Sequence, residues 1–112
     1  MARILLVEQR KTLRERIEQE LSVLGTVTSF TTSSAARERL KTKSYDLIMT
    51  THHPPEVDCR DFIEQLTDRQ VRIGVLYSEG VTNICYERVY EEPLPETYIH
   101  DLRELLQTLP RL

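Results

Sequence analysis

The chain has 112 residues, enough for one ordinary domain and too few for two. With 39% hydrophobic and 29% charged residues, it can bury a core and lacks the composition of a disordered chain. The formal net charge of −3 lacks the basic balance of nucleic-acid-binding domains, and there is neither a signal peptide nor an apolar run of transmembrane length. These properties predict a single cytoplasmic domain over residues 1–112 that binds neither nucleic acid nor membrane.

The beginning of the chain predicts a strand, a helix and a second strand. Ala2–Val7 is an apolar run apart from Arg3, typical of a strand buried on both faces in a parallel sheet. Apolar residues recur every three or four positions over residues 11–24, which predicts an amphipathic helix, and Gly25 is a suitable stop for it. Alternating charges predict a solvated helix face formed by Arg10, Lys11, Arg14, Glu15, Arg16 and Glu18. Residues 26–30 are β-branched or aromatic and predict the second strand.

A second helix and a third strand follow. Ser33 or Ser34 can cap the helix, which is expected to run through Leu40 with Ala36 and Leu40 facing inward. Residues 45–50 are mostly apolar and predict the third strand. The polar residues that come next therefore lie at the carboxyl end of this strand.

The second half of the chain repeats the alternation. Asp58 can cap a short helix, residues 71–77 predict the fourth strand, and residues 87–90 predict a short fifth strand. Pro95 suits the first turn of a last helix, whose apolar stripe consists of Tyr98, Leu102, Leu105 and Leu109. This order implies a parallel sheet with helices on both faces, and a functional site in such a sheet lies at the carboxyl ends of the strands.

Polar residues gather at these predicted strand ends. They are Glu8, Gln9, Thr51, Tyr77, Ser78, Glu91 and Glu92. An aspartate-leucine strand precedes Thr51, Pro55 and Asp58 follow four and seven residues after it, and Pro93 follows Glu92. In the order and spacing of these residues the chain resembles the receiver domain of bacterial response regulators over nearly its whole length. The resemblance implies an α/β flavodoxin-like (CheY-like) fold, a doubly wound five-stranded parallel sheet with strand order 2-1-3-4-5.

The resemblance also implies that the phosphorylation site is degenerate at five positions. Glu8 and Gln9 occupy the positions of the family's acidic pair, which holds Mg²⁺, and Thr51 replaces its phosphoacceptor aspartate. Tyr77 replaces the family's small hydroxyl residue, and Glu92 replaces its lysine. A threonine cannot form an acyl phosphate, and Glu92 reverses the charge of the lysine. Glu8 could still bind a cation, but one carboxylate beside a neutral glutamine is a poor Mg²⁺ site. We therefore expect no catalysis, no metal and no cofactor.

The histidines and cysteines give no stronger signal. His52 and His53 are adjacent on an extended segment and point to opposite sides, so they are expected to be loop residues rather than joint metal ligands. His100 falls on the last predicted helix. Cys59 and Cys85 form no paired motif and are expected to be free thiols in a reducing compartment.

The connection between the fourth and fifth strands is too short for the helix that the family has there. Only residues 78–88 are available, and their glycine, asparagine and β-branched residues disfavour a helix. We expect that helix to be missing or reduced to a loop. Apolar and aromatic side chains near it are candidates for a partner-binding surface: Val81, Ile84, Tyr86, Tyr90 and Tyr98. The alternative is that these side chains fold back over the sheet and replace the packing of the lost helix.

The sequence supports one leading functional hypothesis and leaves two others open. The leading hypothesis is a pseudo-receiver, a regulatory or adaptor domain that signals through a protein partner or a homodimer without phosphorylation. The alternatives are a small-ligand or metal sensor that uses the vacated pocket, and an active phosphoacceptor with unusual residues. The chain can be a stand-alone adaptor or the N-terminal domain of a longer regulator, and the sequence does not separate these two.

Overall fold

The computed structural model describes residues 2–50, 71, 73–78, 88–91 and 93–108. Its elements are β1 (Ala2–Val7), α1 (Lys11–Leu21), β2 (Gly25–Phe30), α2 (Ser33–Leu40), β3 (Leu47–Thr50), β4 (Ile73–Ser78), β5 (Arg88–Glu91) and α3 (Tyr98–Thr108). The strands form one parallel sheet in the order β2-β1-β3-β4-β5, which confirms the predicted architecture. The predicted helix after Asp58 and the predicted loss of a helix between β4 and β5 fall on residues outside the described ranges and stay predictions.

The sheet is covered on both faces, as its nearly continuous apolar strands require. One face packs against α1 and α3 through Ile17, Leu21, Tyr98 and Leu102, all of which are buried. The other face packs against α2 through Ala36 and Leu40, the two residues that were expected to point inward. Alternate residues of β1 and β3 serve the two faces in turn, so both strands lie at the centre of the core.

Element boundaries differ from the expectations by about one to three residues, and three of the differences have a local reason. The first helix ends at Leu21 and not at residue 24, since a turn of three residues precedes β2. Gly25 is the first residue of β2 and not the helix stop, and a Cβ there would lie 2.0 Å from the backbone oxygen of Ala2. Glycine is therefore needed for the close approach of β2 to β1. The cap of α2 is Thr32, whose side chain accepts a hydrogen bond from the Ala35 backbone N–H at 3.2 Å, rather than Ser33 or Ser34.

The amino ends of the central strands are fixed by an aspartate that the sequence pattern places before β3. The Arg3 backbone N–H donates to the Asp46 carboxylate at 2.8 Å, and the Asp46 backbone N–H donates to the Arg3 carbonyl at 2.8 Å. The pair sets the register in which Ile4 lies beside Leu47. None of the helices in the described ranges is long and apolar enough to cross a lipid bilayer.

Candidate functional site

Glu8 is the centre of the carboxyl edge of the sheet. It directly follows β1, and its backbone N–H donates to the Phe30 carbonyl at 3.0 Å, which continues the pairing of β1 with β2. Its side chain is 0% exposed. A carboxylate buried to this degree is costly unless other groups neutralise it and satisfy its oxygens by hydrogen bonds.

Arg10 supplies most of that compensation. Its backbone N–H donates to Glu8 Oε2 at 2.8 Å, its Nε donates to the same oxygen at 3.2 Å, and its Nη2 donates to Oε1 at 3.0 Å. The Arg10 side chain is 52% exposed, so it covers the carboxylate from the solvent side. Arg10 is also the N-cap residue of α1, and the positive end of the helix dipole favours a carboxylate at this place.

Arg14 reinforces the same corner from the next turn of α1. Its Nη1 donates to the backbone carbonyl of Glu8 at 3.0 Å and reaches that of Gln9 at 3.4 Å. Of the predicted solvated face, Arg10 is exposed as expected but also folds back onto the end of β1, and Arg14, which does the same, is only partly exposed. The expectation holds for Arg16, which is exposed and forms a 3.5 Å surface pair with Glu20.

Tyr77 closes the cluster from the far side. The side chain is fully buried on the α1–α3 face of β4, and its hydroxyl donates to Glu8 Oε1 at 2.9 Å. β1 and β4 are not neighbours, because β3 lies between them. Strands are spaced by about 4.8 Å, so β1 and β4 lie roughly 10 Å apart, and the side chains of Glu8 and Tyr77 together bridge this distance across the end of β3. The bulky side chain of Tyr77, at the position where the family has a small hydroxyl residue, fills this edge.

This arrangement does not fit a magnesium ion. Mg²⁺ requires carboxylate or phosphate oxygens in near-octahedral geometry, and it retains several waters. Both oxygens of Glu8 already accept hydrogen bonds, and a guanidinium lies 3.0 Å from one of them. Gln9 is exposed and has no charge to add. Among the residues that the structure describes, no group of three histidine, cysteine, aspartate or glutamate side chains could hold a metal ion.

Of the remaining predicted positions, some lie outside the described residues and the others lie at the surface, away from Glu8. Thr51 and Glu92 lie outside the described residues, as do His52, His53 and Cys59, so the roles expected for them stay predictions. Glu91 ends β5 and is exposed. His100 is on α3, far along the chain from the Glu8 cluster, and its Nε2 lies 3.2 Å from Glu104 on the helix surface. Of the five degenerate positions, the structure thus brings Glu8 and Tyr77 into contact.

The two described members of the predicted partner-binding surface are packed inside the domain. Tyr90 is 9% exposed and Tyr98 is 2% exposed, and their rings meet edge to face with centroids 6.3 Å apart. The Tyr90 hydroxyl donates to Asp101, and the Tyr98 hydroxyl donates to Glu20 at 2.8 Å. These side chains join β5, α3 and α1, so they offer little surface to a partner. Both fold inward as core residues. Val81, Ile84 and Tyr86 lie outside the described residues.

The environment of these tyrosines favours their neutral phenols. Burial raises the pKa of Tyr90, and the hydrogen bond to Asp101 and the charge of that carboxylate raise it further, against a smaller opposing effect of Arg88. Burial also raises the pKa of Tyr98, with the hydrogen bond and charge of Glu20 acting in the same direction and Arg16 opposing them. Each hydroxyl therefore stays a hydrogen-bond donor throughout the physiological pH range.

Comparison with known proteins identifies the fold through structure and not through sequence. No protein-family model matches the chain, and no curated protein matches it significantly. The BeF3-activated receiver domain of DrrB superposes with a TM-score of 0.79 at 13% identity, covering 96% of this chain and 98% of that one. A CheY-like receiver domain from Methylobacillus flagellatus gives a TM-score of 0.75 at 19% identity, with coverage of 96% and 98%.

An adenylate cyclase structure from Rhodopirellula baltica also matches, with a TM-score of 0.75 at 17% identity, covering 94% of this chain and 86% of that one. At such identities a structural match establishes the fold, and the chemistry of each site has to be argued from its own residues. The strand order, the helices on both faces and these superpositions agree: the chain has the receiver-domain fold of CheY-like response regulators.

Proposed function

We propose that the chain is a pseudo-receiver, a signalling domain of the cytoplasm that acts by contact with a protein and does not accept a phosphoryl group. Receiver domains transmit signals through protein contacts, and this fold is the part of the proposal that the superpositions support. The contacts of Glu8 with Arg10 and Tyr77 support the loss of phosphorylation, and they do not favour an active phosphoacceptor.

One observation carries the proposal: the carboxylate of Glu8 is bound by the chain's own side chains. Phosphoryl transfer is catalysed by positioning and by cations that neutralise the charge on the phosphoryl oxygens. Arg10 and Tyr77 hold both Glu8 oxygens, so no second cation is attracted to this carboxylate. The neutral Gln9 beside it offers no substitute.

The two open alternatives are less well supported by the same contacts. A ligand pocket lined by Tyr77 requires an accessible ring or hydroxyl, but this side chain is fully buried and its hydroxyl binds Glu8. A metal sensor or an active phosphoacceptor requires a carboxylate that can bind a cation, whereas Glu8 is covered by a guanidinium.

The test is incubation of the protein with acetyl phosphate and Mg²⁺, followed by intact-mass measurement. A receiver domain with an acceptor aspartate serves as the positive control, and Thr51→Ala serves as the matched control within this chain. We expect wild type and Thr51→Ala to show no added phosphoryl mass. A stoichiometric phosphoryl adduct on wild type that is missing from Thr51→Ala would overturn the proposal.

The partner surface in this proposal is the connection between β4 and β5, with Val81, Ile84 and Tyr86 as candidate contacts. Tyrosine offers a large rigid area with a polar tip, a residue type enriched where interfaces carry most of their binding energy. Tyr90 and Tyr98 are buried and offer little surface, so this proposal takes Val81, Ile84 and Tyr86 as its candidates.

A further inference from the structure

The two outer strands of the sheet differ in how they are protected against pairing with another chain. β2 and β5 are the edge strands, so each has a row of backbone groups on its outer side that meets no further strand of the described sheet. β5 carries Arg88 and Glu91, and Pro93 follows shortly after it. Charges and prolines of this kind disfavour the addition of a strand.

β2 lacks these protective features. Its six residues, Gly25–Phe30, include no charge and no proline, and Thr26, Val27 and Thr28 are β-branched. The strand is also longer than β5, which has four residues. An uncharged edge of this length is a favourable template for strand addition.

The helices α1 and α2 pack on the two faces of β2. Ser29 donates to Glu18 of α1 on one face, and Arg39 of α2 lies over the Phe30 ring, 5.7 Å from its centroid, on the other. Ser29 and Phe30 are thus engaged by the domain itself. The backbone donors and acceptors on the side of β2 away from β1 pair with no strand of the described sheet.

The turn before β2 adds an independent observation. Val23 is 62% exposed, the single large hydrophobic side chain so exposed in the described part of the chain. It lies two residues before Gly25, at the amino end of the open edge. Isolated exposed aliphatic residues are common, but this one extends the same uncharged edge.

We propose that β2 is the contact strand of a homodimer, in which it pairs antiparallel with the β2 of a second copy of this chain. A second copy fits because a twofold axis pairs the strand with itself, and an uncharged strand meets no like charge in that arrangement. The two sheets join into one of ten strands. Two six-residue edges and their flanking turns form a small interface, so the dimer is weak and concentration-dependent. This inference is independent of the proposed loss of phosphorylation.

Sedimentation equilibrium of the wild-type chain from about 10 μM to about 1 mM tests the proposal, since small interfaces give weak affinities. Thr26→Lys places a charge on the open edge at an exposed position of β2. Thr97→Lys makes the same change at an exposed turn next to α3, on the β5 side of the sheet. Because the symmetry introduces each change twice, we expect Thr26→Lys to raise the dimer Kd at least about tenfold. Thr97→Lys should leave the Kd unchanged.

Hydrogen exchange supplies the second readout. Those β2 amides that point away from β1 should be protected in concentrated wild type and in Thr97→Lys, and should exchange faster in Thr26→Lys. If Thr26→Lys fails to fold, Val23→Glu replaces it, because a turn residue with an exposed side chain tolerates the change. A wild type that is monomeric at every concentration would overturn the inference, as would a dimer that both lysine variants retain. Neither outcome bears on phosphorylation.

Discussion

Tyrosine hydroxyls bind carboxylates at several places in the described part of this molecule, and comparing two of these places separates a closed site from a structural link. At the carboxyl edge Tyr77 donates to Glu8, and at the junction of the helices Tyr98 donates to Glu20. An arginine accompanies each carboxylate, Arg10 at 3.0 Å and Arg16 at 3.5 Å. The same three residue types therefore occur in both regions.

The difference lies in the burial of the carboxylate. Glu8 is inaccessible to solvent, whereas the side chain of Glu20 is 38% exposed. Glu20 retains water as an alternative partner, so its pair with Arg16 is a surface ion pair of small energy. Glu8 has no such alternative, and its compensation must come from the protein. An arginine of the chain itself can thus neutralise a carboxylate as a bound cation would, provided that the carboxylate is buried and the arginine shields it from solvent.

The largest expected effect comes from removing the arginine at each place. Arg10→Gln leaves the buried Glu8 charge uncompensated and should lower the free energy of unfolding by about 2 kcal/mol, below the full cost of breaking a buried pair because Arg10 itself is half exposed. Arg16→Gln, the matched control, should change it by less than about 0.5 kcal/mol. Denaturant unfolding measures both. Equal effects of the two variants would remove the distinction between the regions.

A double variant sharpens this prediction. Glu8→Gln in the Arg10→Gln background removes the uncompensated charge and should recover part of the lost stability, since a neutral amide is cheaper to bury. If the losses of the two single variants simply add, Arg10 acts through packing and not by neutralising Glu8.

The next effect in size is that of the tyrosine hydroxyls. Tyr77→Phe removes a donor from a buried charge and should cost about 1.5 kcal/mol of unfolding free energy. Tyr98→Phe removes a donor from a partly exposed carboxylate that water can reach, and should cost about 0.5–1 kcal/mol. The ring packing is kept in both variants, so the difference reports the hydroxyl alone. A larger cost for Tyr98→Phe would contradict the ranking of the two carboxylates by burial.

The smallest expected effect on stability comes from the ionisation of Tyr90 and Tyr98, and it is seen only at alkaline pH. Both have a pKa raised in the folded state, so above about pH 10 the unfolded chain releases phenolic protons that the folded chain retains. The unfolded state then binds fewer protons, and stability falls as the pH rises. Below that pH the contribution is fully present. Urea unfolding between pH 9 and about pH 12 should show this loss, with a shallower slope in a Tyr90→Phe/Tyr98→Phe variant. An unchanged slope would show that other groups cause it.

The sequence predicts the fold well because the signals are those of buried strands. Ile4–Val7 and Leu47–Met49 are continuous apolar runs, which are typical of central parallel strands. The inward positions of Ala36 and Leu40 follow from helical spacing. Boundaries are less certain: Gly25 has two possible meanings in a sequence, a helix stop or a close approach, and only the position of Ala2 decides between them.

The site is less predictable because its compensating partners belong to the helix and not to the strand ends. Arg10 resembles any other member of an alternating charged face, and its role depends on an extended N-cap backbone that turns the side chain back onto Glu8. The available signal was an arginine two residues after a carboxylate at a helix start. The sequence favours a surface position for Tyr90 and Tyr98 because tyrosine suits both interfaces and cores, and sequence does not give the direction of a side chain.

Thr51→Asp tests the central claim most directly, because it restores the acceptor and leaves the Glu8–Arg10–Tyr77 cluster unchanged. Incubation with acetyl phosphate and Mg²⁺, followed by intact-mass measurement, should show no phosphoryl adduct on this variant, since the carboxylate needed beside the acceptor is bound by Arg10. Rapid and stoichiometric phosphorylation of Thr51→Asp would contradict the claim and show that the loss of phosphorylation rests on residue 51 alone.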